Sequence, residues 1–572
     1  MNTALFTRHW RIGQCRVTSQ TLSTTDLIRI DSGRVNSGIF SMWQQAWQAG
    51  NRDTLLSRLE NENEHWDVII AGGGITGAGI AREAARRGLK ALLLERQDFA
   101  WGTSSRSSKM VHGGLRYIAA GDVKTTMHSV QERERLMQEA PGLVDQMAYM
   151  MAHYKGGFPG PFVFNTLLRI YDFFAGRRYR RFFENDKVGF LSPNINEENL
   201  IGGTQFADAV TDDSRLVVRV LREAQKDGAD VINYVGVKSL IKDGDRVIGA
   251  VLEDALTGKT YSVKSDAVIN ATGAWADELR SEVTSEKKIR PARGSHIVLP
   301  YWRLPVSQSY TAMHPDDKRP IFIFPWEGRT VVGTTDLDNE GIDNTEASMT
   351  RDELEYLLKV ARHQFPKADV QEGDIISSWA GVRPLVSSGA LNPSKEKRDH
   401  SVWDDNGLVS VSGGKLTTFR LIALDVLNAT KKYLKNFTDG EFSAQIFTSY
   451  NPTSTQLLTL PDYIQKRLTG HYGMDVDDLL SLARDGELEV IPGARAVWAE
   501  LRWAAANEAV IHLDDLLLRR TRLGLLIEQG GLIYEDRIRA ICAEELGWTE
   551  QQWAEEKARY QAIWNKHYSI PA

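Results

Sequence analysis

The chain has 572 residues, too many for one hydrophobic core, so two or three domains are expected. Hydrophobic residues make up 42% and charged residues 25%, and the formal net charge of −6 excludes a global basic field for nucleic acid. The two cysteines, Cys15 and Cys542, exclude a disulfide framework and a cysteine-rich metal site, and no apolar run is long enough to cross a bilayer.

Residues 1–60 carry Arg8, Arg11, Arg16, Arg29 and Arg34 with many Ser and Thr and few acids. They lack the apolar middle of a secretory signal. They read as a disordered extension or as residues upstream of the true start, with a transit peptide as the other reading. "MWQQAWQAGNRDTLLSRL", from Met42, reads as the beginning of folded protein.

"WDVIIAGGG" (Trp66 to Gly74) is an apolar strand that ends in glycines. A helix, a short turn and a second apolar strand ending near Glu95 follow, which makes one βαβ unit. Gly72, Gly74 and Gly77 spell G-x-G-x-x-G at its first turn. The first permits the tight turn, the second lets backbone approach a pyrophosphate, and the third lets helix and strand pack closely. Glu95 lies 18 residues after Gly77, where a carboxylate can accept from a ribose hydroxyl. A ligand-free tight turn would share the glycines. The βαβ context and the acid favour a dinucleotide.

"TTMHSVQERERLMQEAP" has helical spacing and stops at Pro141. In the next stretch, about 156–183, Phe158, Phe162, Phe164, Phe173 and Phe174 interleave with Arg169, Arg177, Arg178, Arg180 and Arg181. Such a segment suits an anionic membrane face. A buried helix with a solvated basic end is the plainer alternative. From Asp227 short strands alternate with Asp-Gly and Thr-Gly turns, ending in "AVINATG". More strands run from Arg290 to Asp336, with a hairpin turn at "EGRT". "TRDELEYLLKVARHQF" is an amphipathic helix, and "GLVSVSGGKLTTFRLIALDVLNATKKYL" is strand, glycine turn and helix. After about Asp462 the chain reads helical, with Trp498, Trp503, Leu513, Leu516 and Leu517 as core.

Three glycine turns thus follow strands: Gly72–Gly77, Ala271–Gly273 and Ser412–Thr418. Three separated approaches to one extended ligand favour FAD over NAD, and the helix after the third turn offers N–H groups to the electron-rich end of a flavin.

In this order, "GGGITGAGIAREAARRGL", "TSSRSSKMVHGGLRY", "DDSRLV", "NATGAW", "RGSHIVLP", "FPWEGRTVVGTTD", "GVRPL" and "GGKLTTFR" resemble the FAD-dependent glycerol-3-phosphate dehydrogenases over about Trp66 to Phe419. "LRWAAANEAVIHLDDLLLRRTRLGLL" resembles that family's helical cap. The resemblance implies an α/β plus helical fold: a discontinuous Rossmann-like FAD domain, a mixed-sheet substrate domain and a C-terminal helical domain. The boundaries are 61–430 for the FAD-binding region, with the substrate domain inserted at about 290–400, and 431–572 for the helical domain.

The resemblance also implies site residues. It places Gly72, Gly74, Gly77, Glu95, Thr103, Ser104, Ser108, Lys109, His112, Val237, Ala271, Thr272, Gly273, Gly414, Leu416 and Thr417 along the FAD. It puts Arg116, Tyr117 and Thr334 on substrate, and His296, Arg383 and Lys415 at the reacting atoms, with either His296 or Arg383 as base. Arg offers a rigid fork to phosphate oxygens, and His titrates near neutral pH. The implied reaction is oxidation of glycerol 3-phosphate to dihydroxyacetone phosphate by hydride transfer from C2 to flavin N5. Electrons would pass to a membrane quinone, from a cytoplasmic enzyme held peripherally on the inner membrane. Neither metal nor nucleic acid is implied, and a homodimer fits. The rival readings are an oxidase using oxygen, a flavin amine or 2-hydroxy acid oxidoreductase, and a silent flavoprotein sensor. No extra inserted segment of the oxidase kind is present, and a silent site need not keep Arg116, His296, Arg383 and Lys415.

Overall fold

The computed structural model describes residues 49–115, 118, 121–339, 346–387, 399–435, 437–439 and 444–571. Cys15 and the start expected at Met42 lie outside them, and so do Arg116 and Tyr117.

The strand His65–Ala71 is apolar on both faces. Val68 and Ile70 enter one core, and Trp66, Ile69 and Ala71 enter another. A strand buried on both sides belongs in the middle of a parallel sheet. It pairs in parallel with Thr260–Asn270 on one side and Ala91–Glu95 on the other. Leu408–Gly413 and Asp230–Asn233 extend the parallel order outward. On the first face the helix Ile75–Ala85 packs against Asp213–Lys226 and Phe419–Thr430. Gly79 makes that approach close, since a Cβ there would stand 2.8 Å from Phe419 Cδ2.

The second face is covered by the strands Val235–Asp243 and Arg246–Asp254 and by the helix Ala49–Leu59. Leu59 is buried there, Arg52 donates to Asp254 (2.7 Å) and Arg58 to Asp230 (2.7 Å). The folded body therefore includes 49–59, and an extension reaching to residue 60 is too long. The apolar positions of this helix were too few to show an amphipathic face.

The second sheet is largely antiparallel. Near one edge, Ile289–Pro300 pairs with Arg329–Gly333 on one side and Ser377–Val386 on the other. Val144–Tyr154 and Leu200–Thr211 join through Ser309–Met313. The sheet thus draws on 110–211 as well as 289–386, so a substrate region at about 290–400 is too narrow. Local patterning marks strands but not which distant strand each one pairs with.

The C-terminal part is helical, with Glu535–Glu545 and Glu550–His567 as its last helices. Trp498, Leu513, Leu516 and Leu517 share one core with Trp326, Val331 and Trp379 of the second sheet, while Trp503 enters a smaller cluster. A π-helical turn, Asp515–Arg520, sends Arg520 onto Asp98, with bonds of 2.8 and 2.7 Å and both side chains fully buried. Removing one partner of such a buried pair costs about 3–5 kcal/mol. The tail returns to the second sheet, where Ser378 N–H donates to Tyr568 O at 2.7 Å.

Candidate active site

Parallel pairing explains why turns far apart in sequence meet. Ala71, Asn270 and Gly413 end three adjacent parallel strands, so the three glycine turns sit side by side at one sheet edge. Ligands bind at this carboxyl end in open α/β sheets. Gly72 adopts φ +111°, and a Cβ would meet Ala271 O at 2.5 Å. A Cβ on Gly77 would lie 1.9 Å from Gly72 O. Both positions require glycine.

A cavity of about 380 Å³ follows these turns. Gly72, Gly74, Ala271, Thr272, Gly273 and Gly414 line it with backbone, and Glu95, Thr103, Ser104, Val237, Lys415 and Leu416 add side chains. A Cβ on Gly273 meets no protein atom within 4 Å, so the turn leaves open space at the cavity. Ser104 Oγ accepts from Ile75 N–H (3.0 Å), and Ala78 N–H makes the first helical bond to Gly74 O. Thr76 and Gly77 N–H then have no helical carbonyl, which suits an anion at the helix start. Glu95 accepts from Gly73 N–H (2.7 Å) and Gln97 N–H (2.9 Å), and burial pushes its pKa up. A backbone-lined cleft with an anion-binding helix start and a carboxylate at the second strand fits FAD.

A smaller cavity of about 210 Å³ adjoins the first and shares Thr103, Ser107, Lys415 and Leu416 with it. His296, on Ile289–Pro300, and Arg383, on Ser377–Val386, both face into it. Gly333, opposite His296 in the sheet, makes room for the imidazole, since a Cβ there would touch His296 Cδ2 at 2.1 Å. His296 Nε2 is 2.9 Å from Ser108 Oγ, and its buried Nδ1 has no hydrogen-bond partner. The ring stacks on Trp379 at 4.8 Å and 14°. Burial, then the charges of Lys109 and Arg383, hold its pKa well below the usual histidine value, so it is neutral at neutral pH.

Arg383 donates to Asp336 (3.0 Å) and to Thr334 Oγ1 (3.1 Å), and Thr334 also lines the cavity. Lys415 donates to Ser129 Oγ at 2.6 Å.

Other expected positions fall differently. Ser108, His112 and Thr417 line the smaller cavity, and Thr417 Oγ1 bonds the His112 backbone at 3.1 Å. The Lys109 side chain lines neither cavity. It is fully buried behind them and paired with Asp213 at 2.9 Å. Arg106 and Arg319 also line the smaller cavity: Arg319 sits in a turn before a strand and carries no motif signal, and Arg106 lies within "TSSRSSKMVHGGLRY" but reads there as one polar residue among serines. Arg319 lies 3.4 Å from Asp336, the acid that also holds Arg383. Among the described residues no cluster of His, Cys, Asp or Glu is arranged to hold a metal.

The family of FAD dependent oxidoreductases matches residues 67–420, and the C-terminal domain of alpha-glycerophosphate oxidase matches 433–553. The aerobic glycerol-3-phosphate dehydrogenase of Staphylococcus haemolyticus is 34% identical over 530 residues, 88% of this chain and 94% of that one. The chain belongs to the FAD-dependent glycerol-3-phosphate dehydrogenases. A crystal structure of the glycerol-3-phosphate dehydrogenase from Bacillus halodurans, complexed with FAD, superimposes on this dehydrogenase with a TM-score of 0.74. It is 28% identical, and the match covers 91% of this chain and 98% of that one. The L-alpha-glycerophosphate oxidase of Mycoplasma pneumoniae shares the fold at a TM-score of 0.54 and 18% identity, over 68% of this chain and 100% of that one.

Proposed function

We propose that the two cavities hold FAD and glycerol 3-phosphate side by side, and that His296 takes the C2 hydroxyl proton as C2 is oxidised. Bound FAD supplies the two-electron acceptor, receiving the hydride from C2. The observation that carries the reading is a buried imidazole, its Nδ1 without a hydrogen-bond partner, in a cation-lined cavity that adjoins the cofactor cavity. A neutral imidazole accepts a proton, whereas Arg383 stays charged and suits phosphate or the developing ketone oxygen. The substrate's phosphate dianion adds negative charge, which raises the basicity of His296 when substrate is present. Arg383, Arg319 and Lys415 supply the cationic wall for that dianion. Remote binding of the phosphate orients C2 and excludes water from the proton transfer.

The electrons pass on to a membrane quinone in this reading, with the enzyme on the cytoplasmic face of the inner membrane. The helix Pro161–Ala175 supports it. Phe164, Leu168 and Tyr171 are buried, but Phe162 is 85% and Phe173 79% exposed, and Phe158 beside the helix is 79% exposed. Arg169, Arg177, Arg178 and Arg181 are exposed around them. Solvated aromatics among arginines suit an anionic lipid surface. Among the described residues no helix is long and apolar enough to cross a membrane.

The test is anaerobic. Glycerol 3-phosphate should bleach the flavin absorbance while glycerol and a 2-hydroxy acid leave it. A soluble quinone should then restore the absorbance faster than air. Bleaching by the 2-hydroxy acid alone would overturn the substrate reading, and faster recovery in air would favour the oxidase.

A further inference from the structure

Lys109 is absorbed by neither cavity, yet it is built in with care. Its backbone is left-handed, φ 55°, which few residues other than glycine adopt and which persists where the surroundings over-determine it. Its ammonium donates to Asp213 (2.9 Å) and to Ser105 O (3.1 Å) with no exposure to solvent. It also stands 4.5 Å from the ring centre of Trp379 and 4.7 Å from that of Trp326. Trp379 is the same indole on which His296 stacks, its register partner across the sheet. Trp379 is itself tied back by Nε1 donating to Ser107 O at 3.3 Å. Three consecutive residues therefore converge on this stacked pair of rings: Ser107 holds the indole, Ser108 bonds the imidazole, and Lys109 brings the charge.

We propose that Lys109 is a positioning residue for proton transfer: its ammonium, set against Trp379, keeps the His296 imidazole neutral and oriented until the substrate dianion arrives. This rests on His296 being the base. In a dry interior a fixed positive charge opposes a second one nearby. Arg383 acts in the same direction, and Arg106, Arg319 and Lys415 line the same cavity. The carboxylates are engaged elsewhere. Asp336 pairs with Arg383 and Arg319, Asp213 with Lys109 and Arg522, and Asp212 with Arg522. Among the described residues no carboxylate hydrogen-bonds His296. Burial, then Arg522, lowers the Lys109 pKa to about 8, so the ammonium is charged at neutral pH. The imidazolium is thus disfavoured in the free enzyme and becomes accessible when phosphate supplies the missing negative charge.

The experiment uses the FAD-loaded enzyme and two readouts. One is the pH dependence of flavin reduction at low glycerol 3-phosphate. The other is the imidazole titration of His296 by NMR on histidine-labelled enzyme, identified as the signal lost in His296→Gln. Because the ammonium lowers the imidazole's proton affinity, Lys109→Met should raise it. Both the acid limb and the titration then move up by about one pH unit, while Lys109→Arg leaves them in place. If Lys109→Met does not fold, Lys109→Gln, which removes the charge but keeps a donor for Asp213, should move both readouts in the same direction. Slow reduction in His296→Gln with no movement in the Lys109 variants would overturn the role of Lys109 alone. Unchanged reduction in His296→Gln would overturn the base itself, and this role with it.

Discussion

The two cavities are built by opposite means. The larger one is shaped by three strand ends and their glycine turns, where Gly72 and Gly77 leave no room for a side chain, with side chains such as Glu95, Thr103 and Ser104 added around them. The smaller one is made of side chains from antiparallel strands and loops, with His296 and Arg383 set by register and Thr334 just past a strand end. A cofactor with a long polar backbone is held by backbone, and a small charged substrate by charges. One cavity should therefore fail by steric occupation and the other by loss of a single functional group.

The largest effect is expected in the backbone cavity. Gly77→Ala puts a methyl 1.9 Å from Gly72 O, where neither backbone group can yield. The purified variant should carry no FAD, read as the ratio of flavin to protein absorbance. A variant that binds FAD normally would break the contrast. Next comes Arg383→Met, which should retain FAD yet lose about 10²-fold in kcat/KM for glycerol 3-phosphate, the scale of two charge-assisted hydrogen bonds. Steady-state kinetics at saturating acceptor measure it, and a loss below threefold would move the phosphate site elsewhere. The smallest effect belongs to Ser108→Ala. It removes the one hydrogen bond at His296 Nε2 but leaves the Trp379 stack, so reduction should slow by about 3- to 10-fold, a bond's worth of about 1 kcal/mol. Stopped-flow reduction reads it, and an unchanged rate would mean that stacking alone orients the ring.

The same contrast explains what could be read from the sequence. Gly72, Gly74, Gly77 and Ala271–Gly273 were legible because a glycine turn after an apolar strand states its own backbone geometry. The strands' apolar runs agree with a sheet buried on both faces, without stating its order. Arg319 and Asp336 were not legible as a site, because their meeting with Arg383 depends on pairings between strands. Lys109 was misplaced for a related reason: it lies inside the motif, but a motif does not say which way a side chain points. The stretch holding the helix at 49–59 was legible as the beginning of folded protein, but its place in the cofactor domain was not, because few of its residues are apolar and its attachment runs through Arg52 and Arg58.

The buried pairing of Asp98 with Arg519 and Arg520 has a consequence for biosynthesis. Asp98 lies just past the first βαβ unit, and its partners are 421 and 422 residues further on. The parallel sheet likewise waits for Leu408–Gly413. A nascent chain emerging from the ribosome therefore exposes the nucleotide-binding half long before its charge partners exist. Translation stopped short of Arg519 leaves that carboxylate without either guanidinium, so the cofactor domain completes its own interior only with the last part of the chain.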